Sequence, residues 1–314
     1  MSNKPAPIRI GTRGSRLALW QTHHVADKLR AQGLETEVVI IQTKGDLVLD
    51  RSLDKIGAKG VFTEELEESL RNGDIDIAVH SAKDLQSSIP DDLEILAFME
   101  REKVNDVVIS FDTSFSMDRP SITVGTSSTR RRALINRYYP NVITAECRGN
   151  LQTRIQKLKD GQYDAILLAY AGVYRMQYDH MITEILPEDQ FVPAAGQGSI
   201  AIECAKNLSV ERKMQLKITL DHGPTHSCLV AERAYLKRME GGCSIPSFAL
   251  ATISDDQLNI TGGIISLDGK EILTETLNAP IADAEKLGQE LGNLILSKGG
   301  DKILEGIRQG KSSI

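Results

Sequence analysis

Short apolar segments with strand character alternate with amphipathic segments along the first hundred residues of the chain. Ile8 to Thr12 has the composition of a buried strand, and Ser15 to Gln32 carries apolar residues at helical spacing. Glu37 to Gln42 and Ile75 to His80 continue the strand pattern. Strands that alternate with helices are typical of a parallel sheet with helices packed on its faces. The sequence therefore predicts an α/β fold.

The same alternation restarts at Val107 and indicates a second α/β unit. Its predicted elements are strands Val107 to Ser110, Ile122 to Gly125, Val142 to Ala145 and Ala165 to Ala169, and helices Ser128 to Tyr139 and Leu151 to Lys159. The segment from Ala194 to Cys204 is rich in glycine and small apolar residues. We interpret it as a strand that re-enters a domain rather than one that opens a new domain.

The pattern changes after a helix that is predicted to end near Glu240. Three strand-like segments follow, Phe248 to Ser254, Gln257 to Ile265 and Glu271 to Leu277, and turn residues separate them, as in an antiparallel meander. An amphipathic helix from Pro280 to Ser297 completes a smaller α+β domain. We expect a first α/β lobe of residues 1–102 and 197–220, a second lobe of residues 103–196, and a C-terminal α+β domain of residues 221–314.

Charge and composition exclude several classes of function. The formal net charge is −6, which disfavours a general nucleic-acid binder. No segment has the length of a membrane-spanning helix, and the N-terminus lacks the apolar core of a secretory signal, so we expect a cytoplasmic protein without a membrane partner. The four cysteines have neither metal-site spacing nor the density of a disulfide scaffold, so no metal site is expected.

Arginines recur where the predicted strands end and the predicted helices begin. Arg13 follows the first strand, Arg130 and Arg131 open one helix, and Arg148 and Arg154 flank the start of another. These are the anion-binding positions of an open parallel sheet, and the guanidinium group binds carboxylates with two hydrogen bonds. The pattern indicates a substrate with several carboxylates or phosphates, although any single arginine could be a solvated surface charge.

Two further residues could carry chemistry. Asp84 lies in the sequence His-Ser-Ala-Lys-Asp directly after a predicted strand, where its carboxylate could stabilise a developing cation, handle a proton, cap a helix or form a structural ion pair. Cys243 follows two glycines at the entrance to the C-terminal domain. A buried cysteine is usually only a small apolar residue, so its position alone assigns it no reaction.

The motifs together resemble one family, porphobilinogen deaminase, also called hydroxymethylbilane synthase. The resemblance covers nearly the whole chain and rests on TRGSRLALWQT (12–22), KGD (44–46), KIGAKGVFTEELE (55–67), DIAVHSAKDL (76–85), VGTSSTRRRA (124–133), RGNLQTR (148–154), YDAILLAYAGVYR (163–175), PAAGQGSIAIEC (193–204) and AERAYLKRMEGGCSIP (231–246). It implies two lobes similar to those of periplasmic binding proteins and a C-terminal α+β domain with a three-stranded antiparallel sheet.

The resemblance also implies a reaction. The expected enzyme is a transferase that joins four porphobilinogen molecules head to tail on a covalent dipyrromethane primer, releases ammonia, and hydrolyses the product to hydroxymethylbilane in haem biosynthesis. The primer would be attached through a thioether to Cys243. Asp84 would stabilise the positive azafulvene that forms when porphobilinogen loses ammonia. The substrate is a small molecule, and members of the family usually act as monomers.

The remaining site residues are assigned through the matching motifs. The residues expected to bind the primer with Cys243 and Asp84 are Ser81, Lys83, Thr126, Ser128, Arg130, Arg131, Arg148 and Gln197. Arg13, Ser15, Arg154 and Arg175 are expected to bind substrate, and Lys55, Lys59 and Phe62 to belong to a lid. Arg132 has no firm place in the family pattern and is interpreted as a surface charge.

Two departures from the family pattern bear on packing. Leu85-Gln86 stand where the family usually has a small or β-branched residue and proline, and Ser247-Phe248 stand where it tends to have an aliphatic and a small residue. The alternative function is a catalytically inactive two-lobed anion-binding protein. The presence of both Asp84 and Cys243 argues against that alternative.

Overall fold

A computed structural model describes residues 6–43, 63–240 and 245–312. The chain divides into two compact units. The first contains Met1–Glu102 and Ser199–His226, and the second contains Lys103–Gly198 and Ser227–Ile314. Among the described residues, no helix combines the length and the apolar character needed to cross a membrane.

The secondary structure follows the predicted alternation. The strands are β1 (Ile8–Thr12), β2 (Thr36–Ile40), β3 (Ile77–Ser81), β4 (Leu93–Phe98), β5 (Asp106–Ile109), β6 (Thr123–Gly125), β7 (Ile143–Ala145), β8 (Ala165–Ala169), β9 (Ile182–Ile185), β10 (Ile200–Ala205), β11 (Ser247–Ser254), β12 (Gln257–Ile265) and β13 (Ile272–Pro280). The α-helices are α1 (Arg16–Ala31), α2 (Glu64–Asn72), α3 (Thr129–Tyr138), α4 (Leu151–Lys159), α5 (Tyr170–Arg175), α6 (Val210–Leu220), α7 (Gly223–Arg238), α8 (Ala284–Ile295) and α9 (Asp301–Ser312).

The first unit is built on a five-stranded sheet with the order β2-β1-β3-β10-β4. Strands β1, β2 and β3 run parallel, and β10 is antiparallel to both of its neighbours. Apolar residues of β1, β3 and β10 pack against Val25 and Leu29 of α1, while Leu66 and Leu70 of α2 lie in a separate apolar cluster. The prediction that the segment around Ile200 re-enters a domain is confirmed, because β10 completes this sheet.

The second unit contains a sheet of the same design, with the order β7-β6-β8-β5-β9. Strands β6, β7 and β8 are parallel, and β5 is antiparallel to β8 and β9. In both sheets the antiparallel fourth strand arrives from a distant part of the chain. The α/β fold class is therefore confirmed, and the two sheets repeat one topology.

The C-terminal strands form the expected antiparallel meander, β11-β12-β13. The β11–β12 turn contains Asp255 and Asp256, whose φ angles are +49° and +59°. Positive φ at both turn residues suits the right-handed twist of a two-residue hairpin, and aspartate tolerates it better than most residues. The Tyr235 hydroxyl of α7 donates a hydrogen bond of 2.7 Å to the carbonyl of Gly263 and ties this helix to β12.

Phe248 is a fully packed core residue. It is 2% exposed and lies in one apolar cluster with Val108 and Leu134, together with Ile265 of the C-terminal sheet. The departure from the family pattern at this position thus fills the core of the second unit.

We expect Phe248→Ala to lower the free energy of unfolding by about 3–5 kcal/mol, because it removes a large buried ring and leaves a cavity. Phe111 is 53% exposed, so Phe111→Ala should change stability by only about 0.5 kcal/mol. Urea unfolding of both variants and the parent measures the difference. Equal stability of the two variants would show that the Phe248 ring contributes nothing to this core.

Candidate active site

The carboxyl ends of β1 and β3 meet at one edge of the first sheet because these strands are parallel. Arg13 follows β1, and Ser81 to Asp84 follow β3. A pocket of about 70 Å³ at this edge is lined by Arg13, Ser15, Ser81 and Asp84, and also by Gln21. The structure therefore brings together four residues that the sequence places in the site.

Local hydrogen bonds fix the conformation of the chain at the carboxyl edge of the first sheet. The Ser15 hydroxyl accepts a hydrogen bond from the Ala18 amide at 3.3 Å and caps α1. Gln21 follows Ala18 by about one turn of α1. Its Nε2 atom donates a hydrogen bond of 2.9 Å to the Ser81 hydroxyl. Sequence reasoning missed Gln21, although its position on the buried face of α1 is visible in the helical period.

Asp84 ends a short 3-10 helix, Ala82–Asp84, and its side chain is exposed. Within the described ranges no hydrogen bond or ion pair engages its carboxylate. Among the described residues, the Asp84 carboxylate therefore neither caps a helix nor forms an ion pair. An exposed carboxylate at the rim of the pocket is available to a ligand.

His80 is buried beside Glu203. Its Nε2 atom lies 3.1 Å from Glu203 Oε2, and the two side chains are 5% and 0% exposed. His80 is therefore a packed histidine whose imidazole is engaged by a buried carboxylate. The pair connects β3 to β10 beneath the Asp84 rim.

The departure at Leu85-Gln86 is accommodated by packing. Leu85 is 5% exposed, and Gln86 Nε2 lies 3.4 Å from both Thr63 Oγ1 and Glu67 Oε1. Thr63 directly precedes α2, but its hydroxyl does not accept from the helix backbone. It donates instead to the buried Glu67 carboxylate, at 2.8 Å from Oε1.

In the second unit the carboxyl ends of β6, β7 and β8 meet at one edge, and the antiparallel β5 begins there with Asp106. Gly125 ends β6, where an added Cβ would lie 2.9 Å from Tyr163 Cγ. Thr126 follows and is buried. The Ser128 hydroxyl caps α3 by accepting from the Arg131 amide at 3.4 Å. This turn places Arg130 and Arg131 on the first turn of the helix.

Arg130 and Arg131 share the buried carboxylate of Asp106. Arg130 Nη2 donates to Asp106 Oδ2 at 2.7 Å, and Arg131 donates to Asp106 Oδ1 through Nη2 at 2.7 Å and Nε at 3.1 Å. Gln197 Nε2 donates to the same Oδ1 at 2.9 Å. We call these four residues the Asp106 cluster. Sequence reasoning missed Asp106, and a charged residue at the start of an apolar strand was the available signal.

The charge balance of the Asp106 cluster is positive. Burial raises the pKa of Asp106, but the neighbouring Arg130 and Arg131 lower it more strongly, so the pKa lies well below its usual range. The carboxylate is ionised at neutral pH and faces two guanidinium charges. An arginine role in binding carboxylates stays a prediction, while the internal pairing with Asp106 is a finding.

The other arginines lie partly buried along the same edge. Arg148 pairs with Glu146, Arg154 Nε donates to the Gly149 carbonyl at 2.9 Å, and Arg175 Nη2 donates to the Gly198 carbonyl at 2.8 Å. Each guanidinium is thus oriented by a nearby acceptor. Arg132, interpreted as a surface charge, is exposed.

Four of the expected site residues lie outside the described residues: Lys55, Lys59, Phe62 and Cys243. The described cysteines, Cys147, Cys204 and Cys228, are buried and form no disulfide with one another. In the part of the chain that the structure describes, no group of three or more histidine, cysteine, aspartate or glutamate side chains is arranged to hold a metal ion.

Comparison with known families identifies similar sequences. The family model described as "Porphobilinogen deaminase, dipyromethane cofactor binding domain" matches residues 8–213, and "Porphobilinogen deaminase, C-terminal domain" matches residues 226–297. A porphobilinogen deaminase from Cytophaga hutchinsonii is 52% identical over 97% of this chain and 98% of its own length. One from Desulfosudis oleivorans is 49% identical over 96% of this chain and 98% of its own length.

Among solved structures, the methionine-binding protein MetQ aligns with 68% of this chain and 89% of its own chain, at 13% identity and a TM-score of 0.43. The periplasmic VFT2 domain of Bordetella pertussis BvgS aligns with 67% of this chain and 85% of its own chain, at 19% identity and a TM-score of 0.41.

Proposed function

The chain belongs to the porphobilinogen deaminase family, and we propose that Asp84 is the catalytic residue of that family's reaction in this protein. The enzyme is a transferase, hydroxymethylbilane synthase. It condenses four porphobilinogen molecules head to tail on a dipyrromethane primer, and water then releases hydroxymethylbilane for tetrapyrrole biosynthesis. The observation that supports the role of Asp84 is its exposed carboxylate at the carboxyl edge of the first sheet, which has no partner among the described residues.

The proposed role of Asp84 is electrostatic. When porphobilinogen loses ammonia, the carbon–nitrogen bond breaks with its electron pair going to nitrogen, and the pyrrole is left with a positive charge. A fixed carboxylate beside the ring stabilises that charge as it develops. After the new carbon–carbon bond forms, the ring carbon of the acceptor pyrrole that made this bond must lose its proton. Asp84 is placed to accept or relay that proton.

The proposed role of the arginines is to bind carboxylates. Each pyrrole unit carries an acetate and a propionate, so negative charge accumulates as the product grows. Guanidinium groups remain protonated at any working pH and bind carboxylates in a fixed geometry. We propose that Arg13, Ser15, Arg154 and Arg175 bind substrate, and that Lys55, Lys59 and Phe62 belong to the lid.

The Asp106 cluster fits the dipyrromethane group. Two buried guanidiniums face a single carboxylate, and Arg130 Nε is buried with no acceptor among the described residues. A buried donor of this kind suits an anionic ligand. Bound through Cys243, the dipyrromethane supplies the pyrrole carbon to which the first porphobilinogen is joined. The residues proposed to hold it are Cys243, Ser81, Lys83, Asp84, Thr126, Ser128, Arg130, Arg131, Arg148 and Gln197.

We further propose that residues 221–314 form a C-terminal domain with its own sheet, and that the two lobes consist of residues 1–102 with 197–220 and of residues 103–196. Support comes from the separate antiparallel sheet and from the separate family model for residues 226–297. The proposal also includes a monomer that works in the cytoplasm on a small-molecule substrate, without a nucleic-acid or membrane partner. Light scattering of the purified enzyme and cell fractionation test these two points.

We expect Cys243→Ala to abolish primer attachment, because the thioether requires the Cys243 sulfur. The purified variant should show the mass of the unmodified chain and should form no hydroxymethylbilane. Cys147→Ala is the matched control, since Cys147 is a buried thiol outside the proposed site, and it should keep the added mass. Retention of the added mass by Cys243→Ala would place the attachment on another residue.

A further inference from the structure

We propose that Asp106 is the positioning residue for carboxylate binding: it fixes Arg130 and Arg131 in one geometry while neutralising only one of their two charges. The inference rests on the proposed function, because it takes the ligand to be the carboxylates of the pyrrole chain. Asp106 itself is 0% exposed and need not touch that ligand.

The first support is that both carboxylate oxygens of Asp106 accept hydrogen bonds. Its Oδ1 atom accepts from Arg131 and from Gln197, and its Oδ2 atom accepts from Arg130. Gln197 Nε2 also lies 2.7 Å from the carbonyl of Val104, two residues before Asp106. The carboxylate therefore has one orientation, set by the strand that carries it and by this amide.

The second support is that each guanidinium is held on two sides. Arg130 Nη1 donates to the Val192 carbonyl at 2.8 Å, and Arg131 Nη1 donates to the Leu167 carbonyl at 3.0 Å. With Asp106 as the second anchor, neither side chain can turn about its long axis. A guanidinium that is ordered before the ligand arrives loses less conformational entropy on binding.

The third support is charge. Among the described residues, Asp106 is the acidic partner of both arginines, which leaves one positive charge uncompensated in a buried place. The Nε–H of Arg130 remains as a buried donor without an acceptor there. A second carboxylate at this position would cancel the surplus charge and satisfy the donor, whereas without Asp106 two buried cations would repel each other.

The test separates positioning from folding by comparing Asp106→Glu with Asp112→Asn. The glutamate keeps the charge but moves it by one methylene. Asp112 forms an exposed pair with Arg119 in the same unit and serves as the control. Primer-free protein is incubated with porphobilinogen, the rate of primer attachment is read from the intact mass, and KM for porphobilinogen is measured per loaded molecule.

We expect Asp106→Glu to slow primer attachment and raise KM by roughly 10- to 100-fold, since displaced binding groups lose catalytic geometry, while Asp112→Asn matches the parent. An unchanged attachment rate and KM per folded molecule would reduce Asp106 to a structural residue and overturn the inference. Failure of the parent protein itself to gain mass would instead overturn the proposed function.

A measurement on the unmodified chain covers the case in which Asp106→Glu does not fold. In ¹⁵N NMR spectra of the primer-free protein, the Nε–H groups of Arg130 and Arg131 should already be ordered and protected from exchange. They should keep that order after the primer is attached. Side chains that become ordered only on primer attachment would show that Asp106 does not position them.

Discussion

Asp84→Asn should fold like the parent protein and lose roughly 10²- to 10⁴-fold in the rate of hydroxymethylbilane formation. The change removes one negative charge and keeps the shape of the side chain. Because Asp84 is exposed and has no partner among the described residues, the free energy of unfolding should change by no more than about 0.5 kcal/mol. The loss therefore belongs to the reaction, where an amide cannot stabilise the cation left by departing ammonia.

Asp91→Asn is the matched control for this prediction. Asp91 is another exposed aspartate of the first unit, seven positions further along the chain, and it lies outside the pocket at the carboxyl edge. The rate of product formation is measured for both variants at saturating porphobilinogen, together with thermal unfolding. Near-normal product formation by Asp84→Asn would remove Asp84 from the mechanism.

Asp106→Asn should cost about 3–5 kcal/mol of stability at neutral pH, because it leaves two buried guanidiniums without their carboxylate. Asp112→Asn, which breaks an exposed pair with Arg119, should cost much less, because exposed ion pairs contribute little to stability. Chemical denaturation of each variant and the parent, followed by fluorescence or circular dichroism, measures the two losses of stability. Equal losses in the two variants would contradict the assigned importance of burial.

The stability difference between the parent and Asp106→Asn should also depend on pH. Arg130 and Arg131 hold the folded-state pKa of Asp106 below its usual range against the opposing effect of burial. A lowered folded-state pKa contributes stability above the unfolded-state pKa, near 3.9, and that stability is lost as the pH falls toward the folded-state pKa. The difference should be full at pH 7 and shrink progressively below about pH 5. A difference that grows on acidification would reverse the assigned sign.

The regular elements of the fold were predictable where apolar periodicity is strong. The predicted bounds of helix Leu151–Lys159 and strand Ala165–Ala169 match the structure, and α1 begins one residue after the predicted start at Ser15. Strands β4 and β9 were not predicted. Two of the six β4 residues and three of the four β9 residues are only partly buried, and neither strand alternates cleanly between buried and exposed positions.

The candidate site was predictable as a set of positions but not as a set of contacts. The carboxyl ends of parallel strands placed Arg13, Ser81 and Asp84 at one edge, and in the structure these three residues line one pocket. The pairing of Arg130 and Arg131 with Asp106 depends on β5 running antiparallel to β8, and a sequence pattern does not specify strand direction. Of the three adjacent arginines, Arg130 and Arg131 are therefore buried, and Arg132 is exposed.

The intact mass of the purified, denatured protein tests the central claim most directly. A chain that carries the dipyrromethane primer should exceed the mass of its sequence by two porphobilinogen units less two ammonias, because each unit joins with loss of one ammonia. The excess should be absent from Cys243→Ala and present in Cys147→Ala. A parent protein that keeps the unmodified mass after incubation with porphobilinogen would contradict the account.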